Sequence, residues 1–179
     1  MLDTVNDIID ISKIDSGQME VNIHQVNICE EIHSLYEFFK PEAKKKGLEL
    51  TMKNNICIDD AIHILTDNPK FNSILTNLIK NAIKYTDKGS IMIQVDKIEN
   101  YLSCSVTDTG IGIPENKLRG IFNRFEQVDM KDTRAYDGSG LGLAITQSYI
   151  EMLKGTIKVE SESQKGSCFS FTLPWDVQE

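Results

Sequence analysis

Three polar side chains are spaced along one predicted helix in a way that suits an ion or a phosphate. Asn77, Asn81 and Lys84 are four and three residues apart, so they share one face of a helix over residues 70–86. The opposite face of that helix is apolar. Asparagine is a poor mid-helix residue because its side chain competes for backbone hydrogen bonds, whereas its amide oxygen is a hard ligand suited to Mg²⁺. Taken alone, an exposed polar face that contains two asparagines by chance explains the pattern as well.

A carboxylate and two glycines follow a predicted strand near residues 101–108. Asp108 ends the strand, and Gly110 and Gly112 come directly after it. Glycine permits backbone conformations and a close approach of ligand that other residues do not. A carboxylate in this place can accept a hydrogen bond from an exocyclic amine such as N6 of adenine. A tight turn that begins with aspartate is the alternative, because a short glycine-rich turn alone is weak evidence.

Glycines recur at the start of a predicted helix over residues 141–153, as Gly138, Gly140 and Gly142. Backbone N–H groups at a glycine-rich helix start, together with the helix dipole, suit a phosphate. The pattern is not a Walker A motif, which ends in Gly-Lys-Ser/Thr, and its spacing is not that of a dinucleotide-binding fingerprint. A flexible hinge before the helix is the alternative.

Two aromatic residues flank an arginine between the glycine-rich segments. Phe122, Arg124 and Phe125 are followed by a polar stretch over residues 129–137. An arginine placed here can present a cation to a terminal phosphate. Long irregular segments are usually functional, so we expect a lid that becomes ordered when ligand binds.

Composition narrows the class of protein. The chain has 179 residues, of which 40% are hydrophobic and 26% charged, as in one globular domain. A net charge of −8 excludes a basic nucleic-acid footprint. No apolar run reaches about 18 residues, so no transmembrane helix is expected. The four cysteines contain no CxxC pair, which argues against zinc, and we expect them to be reduced and packed as small apolar side chains.

Periodicity predicts the elements that must position these side chains. Alternation predicts strands near residues 19–23, 48–52, 62–65, 90–98, 101–108, 156–162 and 167–173. Helical spacing predicts the last turns of a helix over 2–14, and helices from Asn27 to near Gly47, from Asp67 or Asn68 to Tyr85, near 115–125, and over 141–153 with Gly155 as C-cap. This order favours helices packed on one face of a mixed sheet.

The four motifs, in this order and at this spacing, resemble the boxes of the GHKL ATPase/kinase superfamily. Residues 77–86 resemble its N box, 108–112 its G1 box, 122–125 its F box and 138–143 its G2 box. The F box and the Asn-x3-Asn-x2-Lys-Tyr-Thr form are similar to those of sensor histidine kinases of two-component systems. Residues 6–17 resemble the end of their second dimerisation helix, so the resemblance covers nearly the whole chain.

For the N box, the resemblance implies contacts with the metal and the phosphates of ATP. Asn81 would bind Mg²⁺. Asn77 would lie beside the phosphates or support catalysis, and Lys84 would contact phosphate. Tyr85 would pack on the base or the ribose.

For the other boxes, the resemblance implies a base pocket and a lid. Asp108 would accept a hydrogen bond from the adenine amine, usually with an ordered water, and Arg124 would contact the γ-phosphate as a second catalytic residue beside Asn77. The remaining expected nucleotide contacts are Gly110, Gly112, Ile113, Phe122, Gly138, Ser139, Gly140, Leu141, Gly142 and Leu143.

The implied fold is a two-layer α/β sandwich of the Bergerat type, in which three helices cover one face of a mixed five-stranded sheet. Residues 1–17 would end the dimerisation and phosphoacceptor helix, and residues 18–179 would form the catalytic ATP-binding domain. The implied reaction transfers the γ-phosphoryl group of Mg-ATP to a histidine. The implied partners are ATP, the chain's own dimerisation domain and the receiver domain of a response regulator. The longer protein to which this domain would belong is expected to be a homodimer, with this domain in the cytoplasm.

The phosphate acceptor departs from the family pattern. The family carries it on the first dimerisation helix, followed by an acidic residue, whereas His24, His33 and His63 are followed by Gln, Ser and Ile. We expect all three at the surface or at a strand edge. The chain alone is therefore expected to bind nucleotide without autophosphorylating.

Three other readings are weaker. A conformational ATPase of the same superfamily, such as a chaperone or a gyrase, relies on a glutamate in the N-box helix, and residues 70–86 contain none. A degenerate module that has lost nucleotide affinity conflicts with the filled ligand positions. A protein-serine kinase of the anti-sigma type conflicts with the helix end at residues 6–17.

Overall fold

A mixed five-stranded sheet covered by helices organises the chain in a computed structural model that describes residues 2–56, 62–126 and 139–175. In chain order the elements are α1 (Leu2–Asp15), β1 (His24–Asn27), α2 (Ile28–Lys45), β2 (Leu48–Asn54), β3 (His63–Thr66), α3 (Asn68–Tyr85), β4 (Gly89–Ile98), β5 (Tyr101–Asp108), α4 (Glu115–Leu118), α5 (Gly142–Met152), β6 (Thr156–Glu162) and β7 (Gly166–Pro174).

The large sheet has the order β2-β4-β5-β7-β6, in which β2 and β4 are parallel and the other pairs are antiparallel. Burial alternates along the central strands, as expected for a sheet with one covered face. On β5 the buried positions are Leu102, Cys104, Val106 and Asp108. The α/β sandwich and the five-stranded mixed sheet predicted above are confirmed.

Helix α3 lies at the centre of the helical layer. The Asp67 carboxylate caps its first turn by accepting the N–H of Lys70 at 3.0 Å, and Pro69 fits the first turn, where no intrahelical donor is needed. At the other end, Lys46 Nζ donates to the carbonyls of Ile83 and Lys84 at 2.6 and 3.0 Å. The predicted helix is therefore correct at both ends.

The strand predicted over residues 19–23 is wrong. Residues 18–23 form no regular element, and the strand lies at 24–27, where β1 pairs antiparallel with β3. The backbone of the preceding segment bonds to side chains instead. Asp67 Oδ2 accepts the N–H of Asn22 at 2.8 Å, and Lys70 Nζ donates to the carbonyl of Glu20 at 2.5 Å.

Two helix ends differ from the prediction. Helix α4 covers only four residues, because the chain turns repeatedly after Leu118 instead of continuing to residue 125. Helix α5 ends at Met152 with Leu153 as its C-cap, and Lys154 rather than Gly155 takes the left-handed conformation, with φ +63°. The N–H of Gly155 then donates to the carbonyl of Ile150 at 2.9 Å, which is the bond of a Schellman motif.

The cysteines are not all free. Cys104 and Cys168 are free thiols, whereas Cys29 is disulfide-bonded, so the expectation of four reduced cysteines is wrong for Cys29. Cys57 lies outside the described residues. Within those residues, no helix combines the length and the apolar character needed to cross a bilayer.

Candidate functional site

Asp108 ends β5 with a carboxylate that is almost fully enclosed. The residue is 7% exposed, and its Oδ1 accepts the N–H of Gly110 at 2.8 Å. Burial raises the pKa of the Asp108 carboxyl, although the N–H groups of Gly110 and Ser167 oppose that shift. A carboxylate in this position can accept a hydrogen bond from a ligand amine.

The end of α3 closes one side of this position. The N–H of Ile111 donates to the carbonyl of Tyr85 at 3.1 Å, which holds the two segments together. A Cβ on Gly110 would lie 2.3 Å from that carbonyl oxygen and 2.8 Å from both Asp108 Oδ1 and Thr86 Oγ1. Only glycine fits here, and the carboxylate and the Thr86 hydroxyl therefore border the same small space.

The second glycine of the G1 box is needed for backbone geometry. Gly112 has φ +66°, and a Cβ there would lie 2.0 Å from the carbonyl oxygen of Glu162. The next residue is anchored to β6, because the N–H of Ile113 donates to Ser161 Oγ at 2.8 Å. The turn after Asp108 is thus held against the β6–β7 hairpin.

The structure brings the N box and the G2 box together. Asn77 Nδ2 donates to Thr146 Oγ1 on α5 at 2.8 Å. A Cβ on Gly142 would lie 2.5 Å from Asn77 Oδ1, so the absence of a side chain lets the start of α5 approach α3. Asn81 lies one helical turn further along α3 and is half-buried, and Lys84 Nζ lies 5.0 Å from the centroid of the Tyr85 ring.

The F box lies against both the sheet and the G2 box. The Phe122 ring meets Phe169 of β7 edge-on, with centroids 6.5 Å apart, whereas Phe125 is 70% exposed. The N–H of Phe125 donates to the carbonyl of Gly140 at 3.0 Å. The beginning and the end of the predicted lid are therefore adjacent. Gly138 and residues 127–137 between these ends lie outside the described residues.

Helix α1 contacts both ends of the predicted lid through acidic side chains. Arg124 forms a bidentate ion pair with Asp15, and Ser139 Oγ donates to Asp7 Oδ2 at 2.7 Å. Ser139 also accepts the N–H of Leu141 at 3.2 Å, which orders the start of the G2 box. Two residues expected to bind nucleotide are thus bonded to α1.

A second cluster, of charged side chains, lies at the start of α3, and no sequence pattern indicated it. Lys70 and Asp67 form an ion pair at 3.0 Å in which both side chains are buried, and the Lys70 ammonium lies 5.6 Å from the Tyr149 ring centroid. The Tyr149 hydroxyl donates to Asp10 of α1 at 3.0 Å, and that bond together with burial raises the pKa of Tyr149. A lysine just inside a capped helix looks like an ordinary solvated residue, so no sequence signal distinguished it.

The predicted residues therefore fall into two neighbouring groups. Asp108, Gly110, Gly112 and Tyr85 lie together around the turn after β5, and Asn77, Gly142, Ser139 and Arg124 connect the helix layer to the lid ends. Leu141 is buried and Leu143 half-buried. The described residues contain no group of three or more His, Cys, Asp and Glu side chains that could hold a metal ion.

Comparison with known proteins identifies the family to which this sequence belongs. The sequence model of the histidine kinase-, DNA gyrase B- and HSP90-like ATPases matches residues 66–177. The autoinducer 2 sensor kinase/phosphatase LuxQ of Vibrio vulnificus strain YJ016 is 40% identical over 186 residues, which cover 100% of this chain and 21% of LuxQ. The chain thus spans about a fifth of the length of the curated relatives it matches.

Solved structures of histidine kinases superpose on this fold. Full-length ShkA in complex with AMPPNP superposes with a TM-score of 0.84 at 28% identity, covering 97% of this chain and 35% of ShkA. The nucleotide-free catalytic domain of histidine kinase ThkA superposes with a TM-score of 0.73 at 26% identity, covering 87% of this chain and 97% of that domain. The resemblance to histidine kinases inferred from the four boxes is confirmed, and the chain belongs to the family of histidine kinase-, DNA gyrase B- and HSP90-like ATPases.

Proposed function

We propose that this chain is the catalytic ATP-binding domain of a sensor histidine kinase, which binds Mg-ATP and donates its γ-phosphoryl group to a histidine on a dimerisation domain. The observation that carries the proposal is the buried Asp108 carboxylate, which lies close to the Thr86 hydroxyl at the end of the N box. An acceptor and a neighbouring hydroxyl fit a purine edge that presents an amine beside a ring nitrogen. The AMPPNP complex of ShkA is consistent with this use of the fold.

The N box would hold the phosphate end of the nucleotide. The amide oxygen of Asn81 would bind Mg²⁺, which would neutralise charge on the phosphate oxygens. Lys84 lies one turn further along α3 and would add a positive charge beside a phosphate. Asn77 is oriented by Thr146, so its amide is held at the start of α5, where backbone N–H groups favour an anion. These groups bind and orient, which is most of what a protein contributes to phosphoryl transfer.

The N-terminal helix would join this domain to its phosphate acceptor. We assign residues 1–17 to the end of the dimerisation helix and residues 18–179 to the catalytic domain. Val5, Ile8 and Ile9 of α1 are exposed, which supports packing against another helix. The receiver domain of a response regulator would then take the phosphoryl group from that histidine.

A conformational ATPase of the same family is the alternative. It would need a carboxylate general base in the N-box helix, and α3 from Asn68 to Tyr85 contains no glutamate. His24, His33 and His63 are all exposed, as predicted, and none is followed by an acidic residue. Transfer to a histidine outside this chain fits these residues better.

Calorimetric titration with a non-hydrolysable ATP analogue, with and without Mg²⁺, tests the proposal. We expect one site per chain and tighter binding when Mg²⁺ is present. Absence of saturable binding, both to this chain and to a longer chain that includes the acceptor helix, would contradict the proposal.

A further inference from the structure

The Thr86 hydroxyl is buried without a hydrogen-bond partner. Thr86 is the C-cap residue of α3 and is 0% exposed, and its Oγ1 bonds to no group in the part of the chain that the structure describes. Buried hydroxyls are nearly always paired, because losing water without a replacement partner is costly. An unpaired one therefore calls for a partner that these residues do not supply.

The position of this hydroxyl connects it to the proposed nucleotide site. The point that a Cβ of Gly110 would occupy lies 2.8 Å from Thr86 Oγ1 and 2.8 Å from Asp108 Oδ1, so the two oxygens lie close together. The carbonyl of Tyr85, the third oxygen near that point, is already bonded to the N–H of Ile111. The Asp108 carboxylate accepts the N–H groups of Gly110 and Ser167 and still has lone pairs, so it and the Thr86 hydroxyl can both bond to a ligand.

The two groups differ in hydrogen-bonding capacity. An ionised carboxylate only accepts, whereas a threonine hydroxyl can also donate. Adenine presents an amine donor next to a ring nitrogen that accepts, which matches this acceptor–donor pair. A 6-oxo purine presents an oxygen acceptor next to a protonated nitrogen, which reverses the pattern and places two acceptors face to face at Asp108.

We propose that Thr86 is a base-recognition residue, which donates its hydroxyl proton to the ring nitrogen beside the adenine amine, directly or through one water. Together with Asp108, whose carboxylate selects against a 6-oxo purine, it bonds to the polar edge of the base. This inference rests on the proposed nucleotide site, and it adds a base-contacting residue to it.

Thr86→Val removes the hydroxyl and nearly preserves the shape of the side chain. Because the hydroxyl has no partner among the described residues, the variant should unfold at the same or a higher urea concentration than the unchanged chain. In calorimetry, its affinity for a non-hydrolysable ATP analogue should fall roughly ten-fold, the effect of losing one buried hydrogen bond. Thr86→Ser keeps the hydroxyl and should bind within about two-fold of the unchanged chain.

Thr66→Val is the matched control. Thr66 is also buried, and its Oγ1 also lacks a partner among the described residues, but it lies on β3 of the two-stranded sheet. This variant should bind the ATP analogue as the unchanged chain does. The corresponding 1-deazaadenine analogue, measured by competition, should bind the Thr86→Val variant and the unchanged chain equally, because it carries a C–H group in place of that ring nitrogen and offers the hydroxyl no acceptor.

The outcomes are distinct. Unchanged affinity of Thr86→Val for the ATP analogue would overturn the inference and leave the proposed function intact. Equal losses for the adenine and 1-deazaadenine analogues would also overturn it, because the hydroxyl would then not be bonding to the ring nitrogen. No binding by the unchanged chain, alone or with the acceptor helix, would overturn both proposals.

Discussion

The guanidinium of Arg124 and the carboxylate of Asp15 form a bidentate ion pair that joins the F box to the last turn of α1, with Arg124 Nη1 2.6 Å from Asp15 Oδ2. The bond to Arg124 lowers the pKa of the Asp15 carboxyl and, reciprocally, the pKa of Arg124 is raised. Both side chains are exposed, so the pair contributes little to folding. Its consequence is that the cation proposed to contact the γ-phosphate is already engaged by a carboxylate.

Asp15→Asn should therefore tighten binding of a non-hydrolysable ATP analogue. Without the charged partner, Arg124 is available to the phosphates, and we expect a gain of roughly two- to five-fold, in keeping with an exposed ion pair. Calorimetry at low ionic strength measures the change. Glu162→Gln, which breaks the exposed pair between Glu162 and Lys165, is the matched control and should leave affinity unchanged. Equal affinity for Asp15→Asn and the unchanged chain would show that the pair does not compete with nucleotide.

Asp108→Asn should weaken nucleotide binding, because an amide replaces the charged acceptor of the adenine amine. Losing a hydrogen bond to a charged group corresponds to roughly 10- to 100-fold in affinity. Titration with the ATP analogue measures it. Unchanged affinity would mean that the base lies elsewhere.

The same variant should change how stability depends on pH. Because burial raises the folded-state pKa of Asp108 above its ordinary value of 3.8, folding favours the protonated carboxyl. In the unchanged chain, Asp108 therefore lowers the free energy of unfolding as pH rises from below 3.8 through the raised pKa. The stability of Asp108→Asn relative to the unchanged chain should increase over that range and then level off. Urea unfolding at a series of pH values tests this, and a flat difference would contradict it.

Asn81→Ala should abolish the Mg²⁺ dependence of nucleotide binding, because it removes the proposed amide ligand of the metal. Titrations with and without Mg²⁺ measure the dependence. Asn72→Ala is a control on the same helix, since Asn72 donates to Glu31 at 2.7 Å and should leave the metal dependence intact. If Asn81→Ala still binds more tightly with Mg²⁺, the metal ligand is another residue.

Lys70→Met should destabilise the protein by about 3–5 kcal/mol, because it leaves the buried Asp67 carboxylate without its ammonium partner. It should also release residues 20–22, which Lys70 and Asp67 hold, and hydrogen exchange at the Asn22 amide should speed up. Urea unfolding and hydrogen exchange measure the two effects.

Glu37→Gln, which breaks the exposed pair with Lys40, is the control and should change stability by less than about 1 kcal/mol. A loss of similar size in both variants would contradict the buried role of Lys70.

The Asp67 carboxyl adds a pH signature to this pair. Burial alone would raise its pKa, but the N–H groups of Asn22 and Lys70 and the Lys70 ammonium together lower it below 3.8. A lowered folded-state pKa means that the ionised carboxylate stabilises the fold above pH 3.8 and that this contribution is lost as pH falls through the folded-state pKa. In acid unfolding, Lys70→Met should therefore show a smaller loss of stability over that window than the unchanged chain does.

Residue types and periodicity in the sequence predicted most of the helices and strands and the order of the four motifs. The caps at Asn27 and Asp67 follow from residue type, and the apolar faces of α3 and β5 follow from periods of 3.6 and 2. The prediction of a strand at residues 19–23 is wrong because the side chains of Lys70 and Asp67, rather than a neighbouring strand, bind the backbone of this segment. Alternation of apolar residues cannot reveal such contacts.

By itself, the sequence determined which residues could serve a nucleotide, since amides, glycines and carboxylates at fixed spacings along helices and turns carry that information locally. Only the tertiary structure decided how they meet. Asp15 and Arg124 are 109 positions apart, and Thr86 is buried beside Asp108 because the end of α3 packs against the turn after β5. Pairing and desolvation depend on which surfaces the folded chain brings into contact, and no local pattern specifies these.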